Sequence, residues 1–172
     1  MSKTLKLVSP IDGSVYAERP VAGRAEVEQR LAQARQAQRD WANQPLSTRV
    51  DIVKSAISAL RSMNDQIVTE LAWSMGRPIR YGGEIGGVEE RAYHMADIAS
   101  DALAPIMVED SESFSRYILR EPAGLVFVMA PWNYPYLTAI NTIAPALIAG
   151  NAVVLKHATQ TLLTGERFEQ AF

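Results

Sequence analysis

Residues 124–136 read GLVFVMAPWNYPY, and the character of the chain changes midway through them. Residues 125–130 form a continuous apolar run, the pattern of a strand buried on both faces. The next residues place Trp132, Asn133 and Tyr134 between two prolines, Pro131 and Pro135. A loop this stiff holds its polar groups in one place, directly beyond the strand. Downstream, residues 136–150 (YLTAINTIAPALIAG) read as an apolar helix ending at Gly150, with Pro145 expected to perturb its middle. NAVVLKH, at 151–157, is a second buried strand, and TLLTGERFEQAF, at 161–172, begins another helix. Strand, helix, strand and helix with short connections predict a parallel β-α-β unit, and so an α/β fold.

In an open parallel sheet, ligands bind beyond the carboxyl ends of the strands. The Asn133 loop follows the first strand, and Lys156 with His157 ends the second. Taken singly, these are an ordinary βα loop and a solvated strand-end lysine. Taken together, two such features at one sheet edge can face a single ligand.

Upstream, LKLVSPIDGSVYAERPVA reads as a hairpin whose turn contains Asp12-Gly13. Four helical segments are predicted next. The first covers 25–43, with Val27, Leu31, Ala34 and Trp41 on one face. Ser47 is a plausible N-cap for the second, whose stripe is Val50, Val53, Ile57 and Leu60. Asn64 is a plausible cap for the third, which carries Ile67, Val68, Leu71, Ala72 and Met75 and is stopped by Gly76-Arg77-Pro78. The fourth covers 83–103. Its opening YGGEIGG has neither G-x-G-x-x-G nor Walker spacing, so it reads as a helix start needing close packing. After Pro105, SFSRYILREPAG alternates like a half-exposed strand, with no obvious partner in the sequence.

Composition closes several alternatives. Net charge is −2 with acids and bases interspersed, which gives no nucleic-acid or anionic-membrane surface. No apolar run approaches the ~20 residues of a membrane span, and MSKTLKLVSP lacks the apolar core of a secretory signal, so a cytoplasmic location is expected. The chain contains no cysteine, which excludes disulfides, thiolate metal sites and a cysteine nucleophile within these residues. Its two histidines, His94 and His157, lie far apart in sequence, and no metal site is expected.

PWNYP followed some twenty residues later by ALIAGNAVVLK resembles the NAD(P)-dependent aldehyde dehydrogenase superfamily. SPIDGSVY, AQRDWANQPLSTRVDIV and ILREPAGLVFVMAPWNYP are similar to further segments in the same order. The resemblance implies the N-terminal part of that fold: a helical segment plus an incomplete Rossmann-like parallel sheet. Residues 1–112 would be hairpin and helices of the cofactor-binding domain. Residues 113–122 would resemble the oligomerisation arm, and 123–172 would open the NAD(P)-binding domain. It further implies that Asn133 donates its side-chain amide to the substrate oxygen when a catalytic thiolate attacks the aldehyde. The alternative for Asn133 is a residue that merely satisfies a turn. Lys156 would bind the adenosine ribose, and the backbone of Met129, Ala130 and Pro131, with Trp132, would line the cofactor. Members of the superfamily that prefer NAD often carry glutamate where this chain has Thr159, so NADP is expected to be tolerated or preferred. The implied partners are a small aldehyde and further copies of the chain, as a dimer or tetramer. YPYLTAINTI is compatible with a medium or long aliphatic aldehyde, and equally with core packing.

The nucleophilic cysteine and the base glutamate of the superfamily have no counterpart here. A helical pattern is still running at Phe172, and two strands do not complete a doubly wound sheet, so the sequence reads as the first part of a longer protein. Two other readings stay open: an acylating, thioester-forming member, and a non-catalytic dinucleotide-binding or assembly module. Because aldehyde oxidation of this kind needs a thiolate, we predict that the 172 residues alone give no NAD(P)H from an aldehyde. Sustained absorbance growth at 340 nm from material of confirmed mass would defeat that expectation.

Overall fold

The computed structural model describes residues 3–172. An antiparallel hairpin opens it, β1 (Thr4–Val8) with β2 (Val15–Pro20). Asp12 accepts the Ser14 N–H at 2.9 Å in the turn between them. The hairpin docks rather than projecting: Tyr16 stacks on Trp73, ring centroids 5.8 Å apart, and Arg19 pairs with Glu166.

Helices α1 (Arg24–Ala42), α2 (Leu46–Ser62) and α3 (Asn64–Met75) follow the predicted segments closely. Their predicted caps do not hold. Ser47 and Asn64 both lie inside their helices, preceded by Pro45 and Met63, and neither start has a side-chain cap. Pro45 stands at the start of α2 because its fixed φ suits the position and no N–H is lost there. The α1 stripe is also shallower than expected. Val27 is exposed, and α1 is tied down mainly by Trp41, whose Nε1 donates to the Leu147 carbonyl at 2.8 Å. Gly76, at φ 76°, ends α3 as predicted.

The fourth predicted helix is two. After a 3-10 turn (Ile79–Tyr81), α4 (Ile85–Asp97) and α5 (Ala99–Leu103) are separated at Ile98. Helical periodicity continues across that break, so it is invisible in the sequence. The stretch 113–122 also finds the partner it lacked: β4 (Ser115–Ile118) pairs antiparallel with β3 (Ile106–Asp110), a strand that was not foreseen. The ribbon keeps Met107, Val108, Tyr117, Ile118 and Leu119 exposed.

The predicted β-α-β unit is present as β5 (Leu125–Met129), α6 (Pro135–Ile148) and β6 (Ala152–Lys156), with β5 and β6 parallel. Pro145 does not disturb α6 visibly; it sits in the last turn, and the helix runs on to Ile148. The strands are not buried on both faces. Val128 packs into the core with α6, whereas Phe127 and Met129, which alternate to the other face, are 60% and 72% exposed. A parallel strand is covered twice only when helices occupy both sides of the sheet, and among the described residues Phe127 and Met129 have no such cover.

The core gathers where α2, α4 and α6 meet, around Ile57, Leu60, Val88, Ala92, Ile140 and Ile143. Gly87 belongs to that contact: a Cβ there would stand 3.3 Å from Leu137, so the α4–α6 packing expected of the glycine-rich start is real. A second centre joins α3 to α7 (Thr164–Ala171) through the buried pair Glu70–Arg167, at 2.6 Å. The carboxyl end of α6 is held by Arg49, whose Nε donates to the Ile148 carbonyl at 2.8 Å. Burial pushes that guanidinium below its ordinary range. The chain then turns at Gly150, whose φ of 87° is a left-handed conformation that L side chains rarely adopt. Asn151 stitches the turn together: its Nδ2 donates to the Ala146 carbonyl at 3.0 Å, and its Oδ1 accepts the Gly124 N–H at 2.9 Å.

Candidate functional site

The two parallel strands end side by side. Met129 is in register with Lys156, and the Ala130 N–H donates to the Lys156 carbonyl at 3.1 Å. The ladder therefore runs to the last residue before the loop. Pro131, with no N–H to offer, ends it. Three residues later Tyr134 leads into α6, with Pro135 in the first turn, where a missing N–H costs nothing. The loop between them is short and bounded by residues of fixed φ.

Sequence reasoning placed seven residues at this edge, and the strand register sets Met129 and Ala130 beside Lys156. Met129, Trp132 and Asn133 are exposed; Pro131 is half-buried; Ala130 is buried and presents only backbone. Across the ladder, Lys156 is exposed, its Nζ reaching only the His157 carbonyl at 3.4 Å. Thr159, also exposed, begins the 3-10 turn Thr159–Thr161. His157 is half-buried, with Nδ1 3.0 Å from the Ala158 carbonyl.

Two residues of this edge were missed, and both come from the glycine-rich region before α4. Glu84 is buried, with its side chain 1% exposed. Its Oε2 accepts the N–H groups of Tyr136 at 3.0 Å and Leu137 at 2.8 Å, so a carboxylate caps α6. Its Oε1 accepts Nη1 of Arg77 at 2.7 Å. Nη2 of Arg77 donates in turn to the Asn133 carbonyl at 2.6 Å, and the guanidinium lies 4.8 Å from the Tyr134 ring centroid. Burial pushes the Glu84 carboxyl above its ordinary range, and the donors on Leu137, Arg77 and Tyr136 oppose that rise. No local signal could have found this pair. Arg77 reads as part of a helix stop, and Glu84 as an acid near a helix start, where it would be expected to serve its own helix.

The apolar residues of YLTAINTI are core. Tyr136, Ala139, Ile140 and Ile143 are buried beneath α6, so they supply no lining for an aliphatic substrate. One hollow, about 500 Å³, is an open groove between α1 and β6 lined by Trp41, Leu147, Asn151 and Val153 among others. It lies at the amino end of β6, and none of the seven residues borders it. Among the described residues no group of three or more His, Cys, Asp or Glu could hold a metal ion, and no helix is long and apolar enough to cross a membrane.

A parallel strand pair with a proline-bounded asparagine loop at one carboxyl end and a lysine at the other is the arrangement that the sequence resemblance implied. The sequence profile of the aldehyde dehydrogenase family matches residues 1–172. The chain belongs to the aldehyde dehydrogenase family. A benzaldehyde dehydrogenase [NAD(+)] of Pseudomonas putida is 33% identical over 161 residues, which are 92% of this chain and 33% of the relative. Among solved structures, an NADP-dependent glyceraldehyde-3-phosphate dehydrogenase from Bacillus halodurans C-125, complexed with NADP, superposes with a TM-score of 0.88 at 28% identity. That likeness covers 98% of this chain and 37% of the other. An NAD-dependent benzaldehyde dehydrogenase from Corynebacterium glutamicum gives a TM-score of 0.86 at 29% identity, covering 98% of this chain and 39% of that one. This chain thus spans between 33% and 39% of the length of these aldehyde dehydrogenases.

Proposed function

We propose that these residues supply the oxyanion-donor loop and the adenosine-side cofactor contacts of an NAD(P)-dependent aldehyde dehydrogenase. The observation that carries the proposal is the state of Asn133. Its backbone carbonyl is engaged by Arg77, while its exposed side chain has no hydrogen-bond partner among the described residues. A side-chain amide whose backbone is fixed and whose own donors are free can serve a substrate oxygen at the sheet edge where ligands of parallel sheets bind.

The residues present fit a dinucleotide. Met129 and Trp132 expose one side of the strand end, and the Lys156 ammonium is free to meet ribose hydroxyls. Bound NAD(P)+ supplies the acceptor for the aldehyde hydrogen. When a thiolate adds to the aldehyde carbon, negative charge collects on the oxygen, and the Asn133 amide stabilises it there. Because Asn133 is held before the reaction begins, the stabilisation costs no reorganisation, and one such donor is worth about 2.7–4 kcal/mol. The thiolate and the base that activates water would come from chain beyond these residues. The two relatives named as benzaldehyde dehydrogenases make an aromatic aldehyde such as benzaldehyde a first substrate to try. A second reading, a non-catalytic dinucleotide-binding or assembly module, is favoured for the 172 residues taken alone by their lack of cysteine.

In the whole enzyme, Asn133→Ala is expected to lower kcat by about two to three orders of magnitude with little change in cofactor KM. Wild-type turnover in that variant would return Asn133 to an ordinary turn residue. The cofactor reading is tested at Thr159, which carries no charge to repel a 2′-phosphate and can donate a hydroxyl hydrogen bond. NADP+ should be accepted at least comparably to NAD+, and Thr159→Glu should move the kcat/KM ratio toward NAD+ by about 1–3 kcal/mol. A wild type that already rejects NADP+ would remove Thr159 from the cofactor site. The exposed apolar side chains of the β3–β4 ribbon support a dimer or tetramer of the whole protein. Light scattering at micromolar concentration checks this, and a monodisperse monomer would count against it.

A further inference from the structure

We propose that Arg77 and Glu84 are the positioning residues of the Asn133 loop, an ion pair of a half-buried guanidinium with a buried carboxylate that fixes the loop at both ends; the inference rests on the reading of Asn133 given above. Each charged group has two functional sides, and all four are used. One oxygen of Glu84 holds the start of α6 through Tyr136 and Leu137, and the other holds Arg77. One nitrogen of Arg77 is held by Glu84, and the other holds the Asn133 carbonyl. Residues 133 and 136–137 are thereby tied to one rigid fork, and Tyr134 between them lies against the guanidinium. The loop receives no hydrogen bond from elsewhere in the described residues at Asn133.

A helix cap alone does not account for this arrangement. Capping α6 requires one acceptor oxygen, and it would be met equally by a residue of the loop itself. Here the cap comes from 52 residues away in sequence, and its second oxygen serves an arginine whose far side reaches the candidate catalytic residue. By engaging the Asn133 carbonyl, Arg77 leaves the side-chain amide as the group that this residue presents outward. The pair is also built so that near-isosteres fail. Glu84 accepts on both oxygens and donates on neither. A glutamine in its place has one NH2, which must face either the Arg77 donor or the α6 donors. Arg77 bridges two acceptors with separate prongs of a planar group, which a lysine ammonium replaces only in part.

Two measurements on the whole protein decide the matter. Hydrogen exchange is followed by mass spectrometry on a peptide covering 131–141, with 53–60 in α2 as the control for general loosening. In Glu84→Gln the protected amides of 131–141 should exchange about tenfold to a hundredfold faster, the range for losing a charge-assisted hydrogen bond, with the control unchanged. Unaltered exchange at 131–141, or equal acceleration in both peptides, overturns the proposal. The second measurement is turnover. Arg77→Met should lower kcat by about tenfold to a hundredfold with KM for aldehyde and cofactor kept within about twofold, the pattern of an interaction felt only in the transition state. Arg77→Lys should recover part of the loss. Combining Arg77→Met with Asn133→Ala should give no further loss beyond Asn133→Ala alone, because the arginine acts through the asparagine. Wild-type kcat in Arg77→Met, or losses that simply multiply in the double variant, overturns the proposal. If Asn133→Ala itself turns over normally, the oxyanion reading falls, and the exchange experiment still decides whether the pair holds the loop.

Discussion

Helix α6 is held by opposite charges at its two ends, and the rest of the structure is arranged around that clamp. Glu84 accepts the free N–H groups at its start, and Arg49 donates to a free carbonyl at its finish. Both charges have the sign that the helix dipole favours, an effect worth about 0.3–1 kcal/mol at an exposed end and up to about 2 kcal/mol where partly buried. The more important consequence is geometric. Burial sets which face of the helix meets the core, with Ile140 and Ile143 inside and Thr138 and Asn141 outside, but is non-directional and less exacting about position along the axis. Directional bonds at each end remove that freedom. Since β5 and β6 are joined through α6, fixing the helix fixes where their carboxyl ends lie.

The same clamp explains why the loop at 131–134 needs so little structure of its own. Pro131 ends the ladder and Pro135 begins the helix, which limits the backbone between them. Prolines restrict φ at their own positions and bias the residue before them, so Asn133 itself is not fixed by either. Arg77 does that. Leaving a buried carboxylate without its arginine, or the reverse, is costly, about 3–5 kcal/mol when one partner is removed. The fork is therefore stable only as a pair, with Arg77 and Glu84 brought together by the 3-10 turn and the glycines between them.

The α3–α7 contact follows a similar rule beside the start of α6. Arg167 and Glu70 are both buried and matched by two-pronged bonds, and Gln66 and Gln170 take remaining hydrogen-bonding capacity. Close by, Tyr136 packs against Phe168, so the start of α6 is also pressed onto α7. The opening hairpin closes over this region through Arg19 and Tyr16. Elements far apart in sequence thus converge on the beginning of one helix.

Much of this was legible in the residues. Period and punctuation gave the hairpin, the three helices before Gly76, and the strand–helix–strand order after Gly124, because apolar spacing and special backbone residues act locally. The loop at Asn133 and the strand end at Lys156 were legible as well, as a proline-bounded turn and the close of an apolar run. Other features were decided only in three dimensions. Ser47 and Asn64 had the chemistry of caps but lie within their helices, because the capping bond depends on where the first turn begins rather than on composition. The break at Ile98 and the pairing of β3 with β4 leave the local pattern almost unchanged. Phe127 and Met129 look like core residues and are exposed, since burial on the second face of a sheet is set by whether another layer is present. Above all, sequence gave no warning that Arg77 and Glu84 serve a loop some fifty residues away. A carboxylate between glycines can cap its own helix or another, and only the packing of α4 against α6 decides which N–H groups lie within reach.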